Sequence, residues 1–236
     1  MAGTHGITRP GGSALNAGQV AGFRIAEYIA AKNRGWTLDR SAAIDQAKAD
    51  IRRLCDREPE GNDWRSWRKE IQARMSDFAG PIVDAKSLEA ASLQAWQLSD
   101  MFYVHNSTEK KHRSPGCDAI RNPVEWAESL RTRFMAFAAA VYIDAILHFA
   151  VRGKTGSRGS RLLLDPAGMP LHPALGERFR YVPENTEKRS FIQSTTPAHG
   201  AIRHEEMPRR PIPPADAWFE SAWHAYRNGK IFDDAP

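Results

Sequence analysis

Apolar residues recur at three- and four-residue spacing through most of the first 150 positions, and that period predicts helices. The first runs from Leu15 to about Asn33. Its Ala17, Gly18, Ala21, Gly22 and Ala26 make a small-residue face that suits close approach by another backbone, and Gly35 ends it. A second covers 41–56, with Ser41 as N-cap and Ile44, Ala47, Ile51 and Leu54 on one stripe. Asp63 caps a third, in which Trp64, Trp67, Ile71, Met75 and Phe78 share a face, and Gly80-Pro81 stops it. Ser87 is the expected cap of a fourth, which passes through Leu88, Ala91, Ala95 and Leu98 to about Val104. Asn122-Pro123 supplies a cap and a first-turn proline for a long fifth helix that reaches Arg152, with Gly153 beyond it.

After residue 153 the pattern changes. Glycines and prolines become frequent, and short β-like runs follow: "RLLLD", "FRYV", "RSFIQSTT" and "GAIRHE". The expectation is an irregular extended region without a core of its own. Asp216 then caps a short final helix with Trp218, Phe219, Ala222, Trp223 and Tyr226 available for packing.

One stretch, residues 134–151, is apolar enough to raise a membrane span. It contains Asp144 and His148, and an acid near a bilayer centre costs roughly 2.5–3.5 kcal/mol. A buried helix of a soluble bundle is the expected form, with no transmembrane segment. The two cysteines, Cys55 and Cys117, have no C-x-x-C spacing, so neither a disulfide framework nor a zinc ribbon is expected. A reducing cytoplasm fits that usage, and no secretory signal is read at the start.

Charge adds one feature. The formal net charge is +5, and residues 151–215 account for it, with eleven lysines and arginines against six acids. Such a stretch suits nucleic acid, a membrane surface or an acidic partner, or is simply a solvated loop.

The chemistry legible residue by residue is sparse. "RGKTGS" (152–157) looks like the end of a phosphate-binding loop, but His148 stands where the first glycine belongs and a helix precedes it, so a helix C-terminal turn is expected. His199, His204 and Glu205, and His105, His112 and Cys117, lack metal-ligand spacing and read as surface residues, with no metal expected. The opening glycine loop differs. It runs into a helix N-terminus, which presents free N–H groups and a positive dipole end, and Arg9 adds a cation suited to a carboxylate.

"HGITRPGGSAL" (5–15) resembles the H-G-x-x-R-x-G-x-x-[SA]-L stretch of the succinate dehydrogenase/fumarate reductase flavoprotein family, which includes L-aspartate oxidase. "IQARMSDFAGPIVDAKSLEAASLQAWQL" (71–98) resembles that family's C-terminal helical domain. "TGSRGSRLLLD" (155–165) is similar to its E-S-R-G-x-H-x-R-x-D segment, with Ser157, Arg158, Gly159 and Asp165 matching. "RPIPPADAWFESAW" is loosely similar to tails of related oxidoreductases. The resemblance implies that Gly11, Gly12, Ser13, Ala14 and Leu15 lie along the flavin of FAD. It also implies that Arg9 binds the substrate carboxylate and that His5 belongs to the catalytic set. In that family a nucleotide-binding region and a capping domain precede this point. This chain has no G-x-G-x-x-G after a strand, and it starts inside the implied cofactor site.

The expectation is therefore a mainly α chain: the helical-bundle C-terminal domain of a fumarate reductase-type flavoprotein, with one loop-helix before it and an extended irregular tail after it. Residues 1–35 would be the last loop-helix of an FAD-binding domain, 36–153 the helical domain, and 154–236 a basic tail with a terminal helix. The resemblance implies a C-terminal fragment or subunit of an FAD-dependent oxidoreductase acting on CH–CH or related donors. It would be inactive alone and would not retain FAD. Its partners would be an N-terminal FAD-binding half, an iron–sulfur or other electron-transfer protein and a small carboxylate substrate. The alternative is a basic interaction module that binds nucleic acid or an acidic protein, though aromatic residues are few in 151–215 and nucleic-acid motifs are lacking.

Overall fold

A computed structural model describes residues 12–32, 37–55, 63–103, 122–159, 161–177, 179–198, 201–209 and 219–230. The described chain is mainly helical, with a small amount of sheet. It divides into two units, Met1–Asp39 with Met207–Pro236, and Arg40–Glu206.

The first unit contains helix α1 (Ser13–Lys32) and the short α6 (Phe219–Arg227). Gly12, at φ +80°, turns the chain into α1. Phe23 on α1 meets Tyr226 on α6 with ring centroids 6.2 Å apart, and Tyr226 stacks on Trp223 at 5.5 Å. Most of α1 stays uncovered: Leu15 is 76% exposed, Phe23 56% and Ile25 58%.

The second unit holds α2 (Arg40–Cys55), α3 (Trp64–Phe78), α4 (Ala85–Tyr103) and α5 (Pro123–Ile146), which continues as a π-helical turn over Leu147–Arg152. The expected Asp63 cap is present, its carboxylate accepting from Ser66 N at 3.3 Å. Asn122 likewise accepts from Glu125 N at 3.2 Å ahead of Pro123. Two caps differ from expectation. Helix α2 begins at Arg40, so Ser41 lies in its first turn. Asp84, not Ser87, caps α4: its carboxylate accepts from Ser87 N at 2.9 Å. An aspartate three residues back reaches that amide with an ionised acceptor, which outcompetes a hydroxyl for the position.

Helices α3, α4 and α5 form the core. The predicted α4 stripe of Leu88, Ala91, Ala95 and Leu98 is buried, facing Ala136, Ala139, Ala140 and Ile143 of α5. Alanines on both sides let these two helices approach closely, and Phe102 and Leu147 fill the wider ends. The α2 stripe behaves differently. Ile44 and Ile51 are about half exposed. One helix, Pro123–Arg152, is long and apolar enough to cross a membrane by length and composition. On one face of it Ala136, Ala140, Ile143 and Leu147 are buried against the bundle, and a third of its apolar window is buried in all.

Trp64 was expected among the apolar residues of α3. Its indole N–H instead donates to Glu125 at 2.8 Å, with the Arg65 and Arg68 guanidiniums over its ring at 4.2 and 4.5 Å. Arg68 binds Thr132 Oγ1 at 2.8 Å, Glu128 Oε2 at 2.6 Å and the Glu128 carbonyl at 2.9 Å, which ties α3 to α5. Hydrogen bonds to charged groups contribute about 1.5–3 kcal/mol. Arg68→Ala is expected to lose roughly that much in urea denaturation, and an unchanged midpoint would show these contacts to be energetically idle.

A strand absent from the sequence-based expectation, β1 (Ile82–Asp84), lies between α3 and α4. It pairs in parallel with β2 (Leu162–Pro170), Val83 opposite Leu163, and both residues are buried in the helical core. Strand β3 (Arg180–Tyr181) pairs antiparallel on the other side. Through Leu163, β2 extends the core of the helices. Strands β4 (Phe191–Ala198) and β5 (Ala201–Pro208) form a second, two-stranded sheet.

Candidate functional site

The residues of the opening motif divide. His5, Arg9 and Gly11 lie outside the described residues. Gly12 is the turn before α1, and Ser13, Ala14 and Leu15 are its first helical residues. Amides in a first helical turn have no intrahelical acceptor, so the helix start keeps N–H groups available to an anion. No Cβ would meet an atom within 4 Å at Gly12, Gly18 or Gly22. The small-residue face is therefore open.

The residues that match the second stretch of the resemblance hold a turn together. Ser157 Oγ donates to Val182 O at 2.6 Å and accepts from Leu163 N at 2.9 Å. Arg158 pairs with Glu184 at 3.3 Å, and Asp165 accepts from Ala167 N at 2.8 Å. Gly159 takes φ +65°. "RGKTGS" is the helix C-terminal turn expected of it: Gly153 caps the π-helical turn, and Thr155 and Gly156 donate back to Phe149 O and Ala150 O, each at 3.1 Å.

The most concentrated polar chemistry lies at the C-terminal end of α5. Asp144 and His148 are one turn apart on the same face. The β4–β5 ribbon brings Thr195 and His204 to them. His204 Nε2 is 2.8 Å from Asp144 Oδ2, and its Nδ1 is 3.0 Å from Thr195 Oγ1. The imidazole of His148 stacks on that of His204, centroids 4.0 Å apart and planes within 15°. Phe149 presents its edge to His204 at 5.6 Å. His204 was expected at the surface, yet its side chain is only 10% exposed. The ring can be largely covered because both nitrogens have partners, which removes the main cost of covering it.

A second ring of contacts surrounds this chain. Gln193 Nε2 donates to Thr155 Oγ1 and to Glu206 Oε1, each at 3.0 Å. Lys188 donates to Glu206 Oε2 at 2.6 Å. The Lys188 and Gln193 hydrogen bonds hold the Glu206 carboxyl below the usual carboxylate range. Burial first, and then the neighbouring His204 and Arg152, lower the His148 imidazole below its ordinary value. The carboxylate–imidazole–hydroxyl order suits proton transfer between Asp144, His204 and Thr195. A π-helical turn beside it is the kind of irregularity that clusters at functional sites.

Residue spacing held a signal for this cluster. Asp144 and His148 stand at i, i+4 inside an otherwise apolar helix, and His204 and Glu206 alternate on one strand face. Thr195 carried none. No group of three or more potential metal ligands occurs among the described residues.

Among the described residues of 151–215, several cations are paired with acids. Arg158 and Arg189 share Glu184, Lys188 pairs with Glu206, Arg180 with Glu177 and Arg203 with Glu205. Comparison of the chain with protein-family models, curated proteins and solved structures finds no match.

Proposed function

We propose that this chain is the C-terminal, helical part of an FAD-dependent oxidoreductase of the succinate dehydrogenase/fumarate reductase flavoprotein type, working in the cytoplasm with an FAD-binding half. The observation that carries the reading is α1. A 20-residue helix with apolar side chains around much of its surface is stable only when covered. Leu15, Val20, Phe23, Ile25 and Ile29 stand in solvent, and Gly18 and Gly22 offer a surface on which another backbone can seat closely. The sheet of a nucleotide-binding domain is such a cover. The glycine turn at Gly12 would then set the free amides of Ser13, Ala14 and Leu15 against the flavin, with Gly11 beside them. Arg9 would bind the substrate carboxylate, with His5 next to it. Electrons would pass to an iron–sulfur or similar partner. An acidic protein or nucleic acid as the chain's main partner has less support, because Arg158, Arg180, Lys188 and Arg189 of the sheet region already pair with acids of this chain.

The test is flavin. The chain alone is expected to purify colourless, and a complex with an FAD-binding half encoded beside it is expected to carry FAD in stoichiometric amount. A yellow chromophore on the isolated chain, or a complex without flavin, overturns the reading. In that complex Arg9→Lys keeps the charge and loses the planar fork of donors. Turnover of a carboxylate substrate is expected to fall at least about tenfold while FAD stays bound, roughly 1.4 kcal/mol of transition-state binding. Near-normal turnover of Arg9→Ala would remove the substrate role.

A further inference from the structure

We propose that His148, stacked on His204, is an acid-sensitive latch, which holds the β4–β5 ribbon on the end of α5 and releases it when the His148 imidazole takes up a proton.

The two rings differ in their surroundings. His204 has a partner at each nitrogen in either charge state. When neutral, Nε2–H donates to Asp144 and the Thr195 hydroxyl donates to Nδ1; when protonated, Nδ1–H donates to Thr195 Oγ1 and Asp144 supplies the counter-charge. For His148, no hydrogen bond reaches the ring nitrogens among the described residues. The groups facing it are Asp144 and Arg152 from its own helix, and His204 and Glu206 from β5. Lys188, on the turn before β4, occupies Glu206, and Gln193 of β4 holds the other Glu206 oxygen. The nearest carboxylates are thus already committed, Asp144 to His204 and Glu206 to Lys188. A proton on His148 therefore sets a cation in a partly covered site against the His204 ring, centroids 4.0 Å apart, with both nearby carboxylates already committed, which favours separation of the rings.

Linkage gives the direction. Docking holds the His148 imidazole below its ordinary value, burial being the largest cause. The released ribbon lets it return to about 6.5, so the released form binds more protons in between. The contribution of the stack is complete above about pH 6.5 and is lost as pH falls toward the docked value. Across that window the opening constant rises by up to about tenfold per pH unit, the slope for one proton. Glu206, held low by Lys188 and Gln193, stays ionised there and adds no matching response.

The experiment is hydrogen–deuterium exchange of the full chain at about pH 7.5 and about pH 5.5, corrected for intrinsic rates, a window in which histidine is the side chain that titrates. Amides of 191–208 are expected to lose protection several-fold, up to about tenfold, on acidification while those of α4 hold theirs. His148→Phe keeps an aromatic ring on the stack and removes the charge, so its ribbon is expected to stay protected at both values. The same acid release in His148→Phe would place the titration elsewhere and overturn the latch, as would equal protection of the wild-type ribbon at both values or loss of protection in α4 as well. Should His148→Phe fail to fold, the His148 ring resonance of the wild-type chain decides. A midpoint below that of a free histidine supports the latch, and one at or above it overturns it.

Discussion

Gly156→Ala is expected to lose about 3–5 kcal/mol of stability, a large share of what a typical domain has. Two effects add. Gly156 sits at φ +69°, where a side chain costs about 1–2 kcal/mol. An added Cβ would also lie 2.2 Å from the Pro183 carbonyl oxygen and 3.2 Å from Val182 Cγ1. The first neighbour is backbone, so no rotamer change relieves it. Moving Pro183 would strain three bonds that fasten this strand: Ser157 N to Val182 O at 3.0 Å, Val182 N to Leu163 O at 2.9 Å, and Asn185 N to Thr155 O at 3.0 Å. It would also disturb Gly156 N to Ala150 O, which closes the π-helical turn below His148. Gly176→Ala is the control. It shares the left-handed backbone, φ +64°, and meets nothing within 4 Å. Urea unfolding should separate the two by about 2 kcal/mol or more, and equal losses would mean that the close approach to Pro183 does not exist.

Phe102→Ala is expected to lose about 3–5 kcal/mol. The ring is fully buried among Ile71, Leu98, Ala136 and Ala139, and the Trp67 indole meets it edge-on at 5.0 Å. Its neighbours come from three helices held by other contacts, so the space left behind cannot close easily, and the cavity adds to the lost transfer energy. Phe134 on α5 is 54% exposed, and its alanine variant should stay within about 1 kcal/mol of wild type. A Phe102→Ala loss as small as that would place the ring outside the core.

Local order in this chain was largely written in its spacing. The α4 stripe, the Asp63 and Asn122 caps and the strands after residue 160 all follow from residue type and period, because capping and amphipathic burial act within a few positions. Errors arose where two local signals competed. Asp84 and Ser87 are both good caps, and the carboxylate wins by reaching the Ser87 amide. "PIVD" is too short to declare itself a strand, and β1 exists because Leu162–Leu164 lies alongside it.

The candidate sites divide along the same line. The glycine turn and the small face of α1 are local, so the sequence alone pointed to them; the exposure of that helix is a tertiary fact, since amphipathic pattern says which face wants cover and not whether it has any. Asp144 and His148 were visible as polar residues on an apolar helix and read mainly as an argument against a membrane span. Their use depends on Thr195 and His204, some fifty to sixty positions away, which no period or motif connects to them. Only the docking of the β4–β5 ribbon on α5 sets an imidazole on an imidazole and a carboxylate at hydrogen-bond distance. Composition and spacing thus determined a mainly helical chain with a glycine-led first helix. Tertiary packing decided which histidine is buried, because burial depends on partners and partners come from distant sequence.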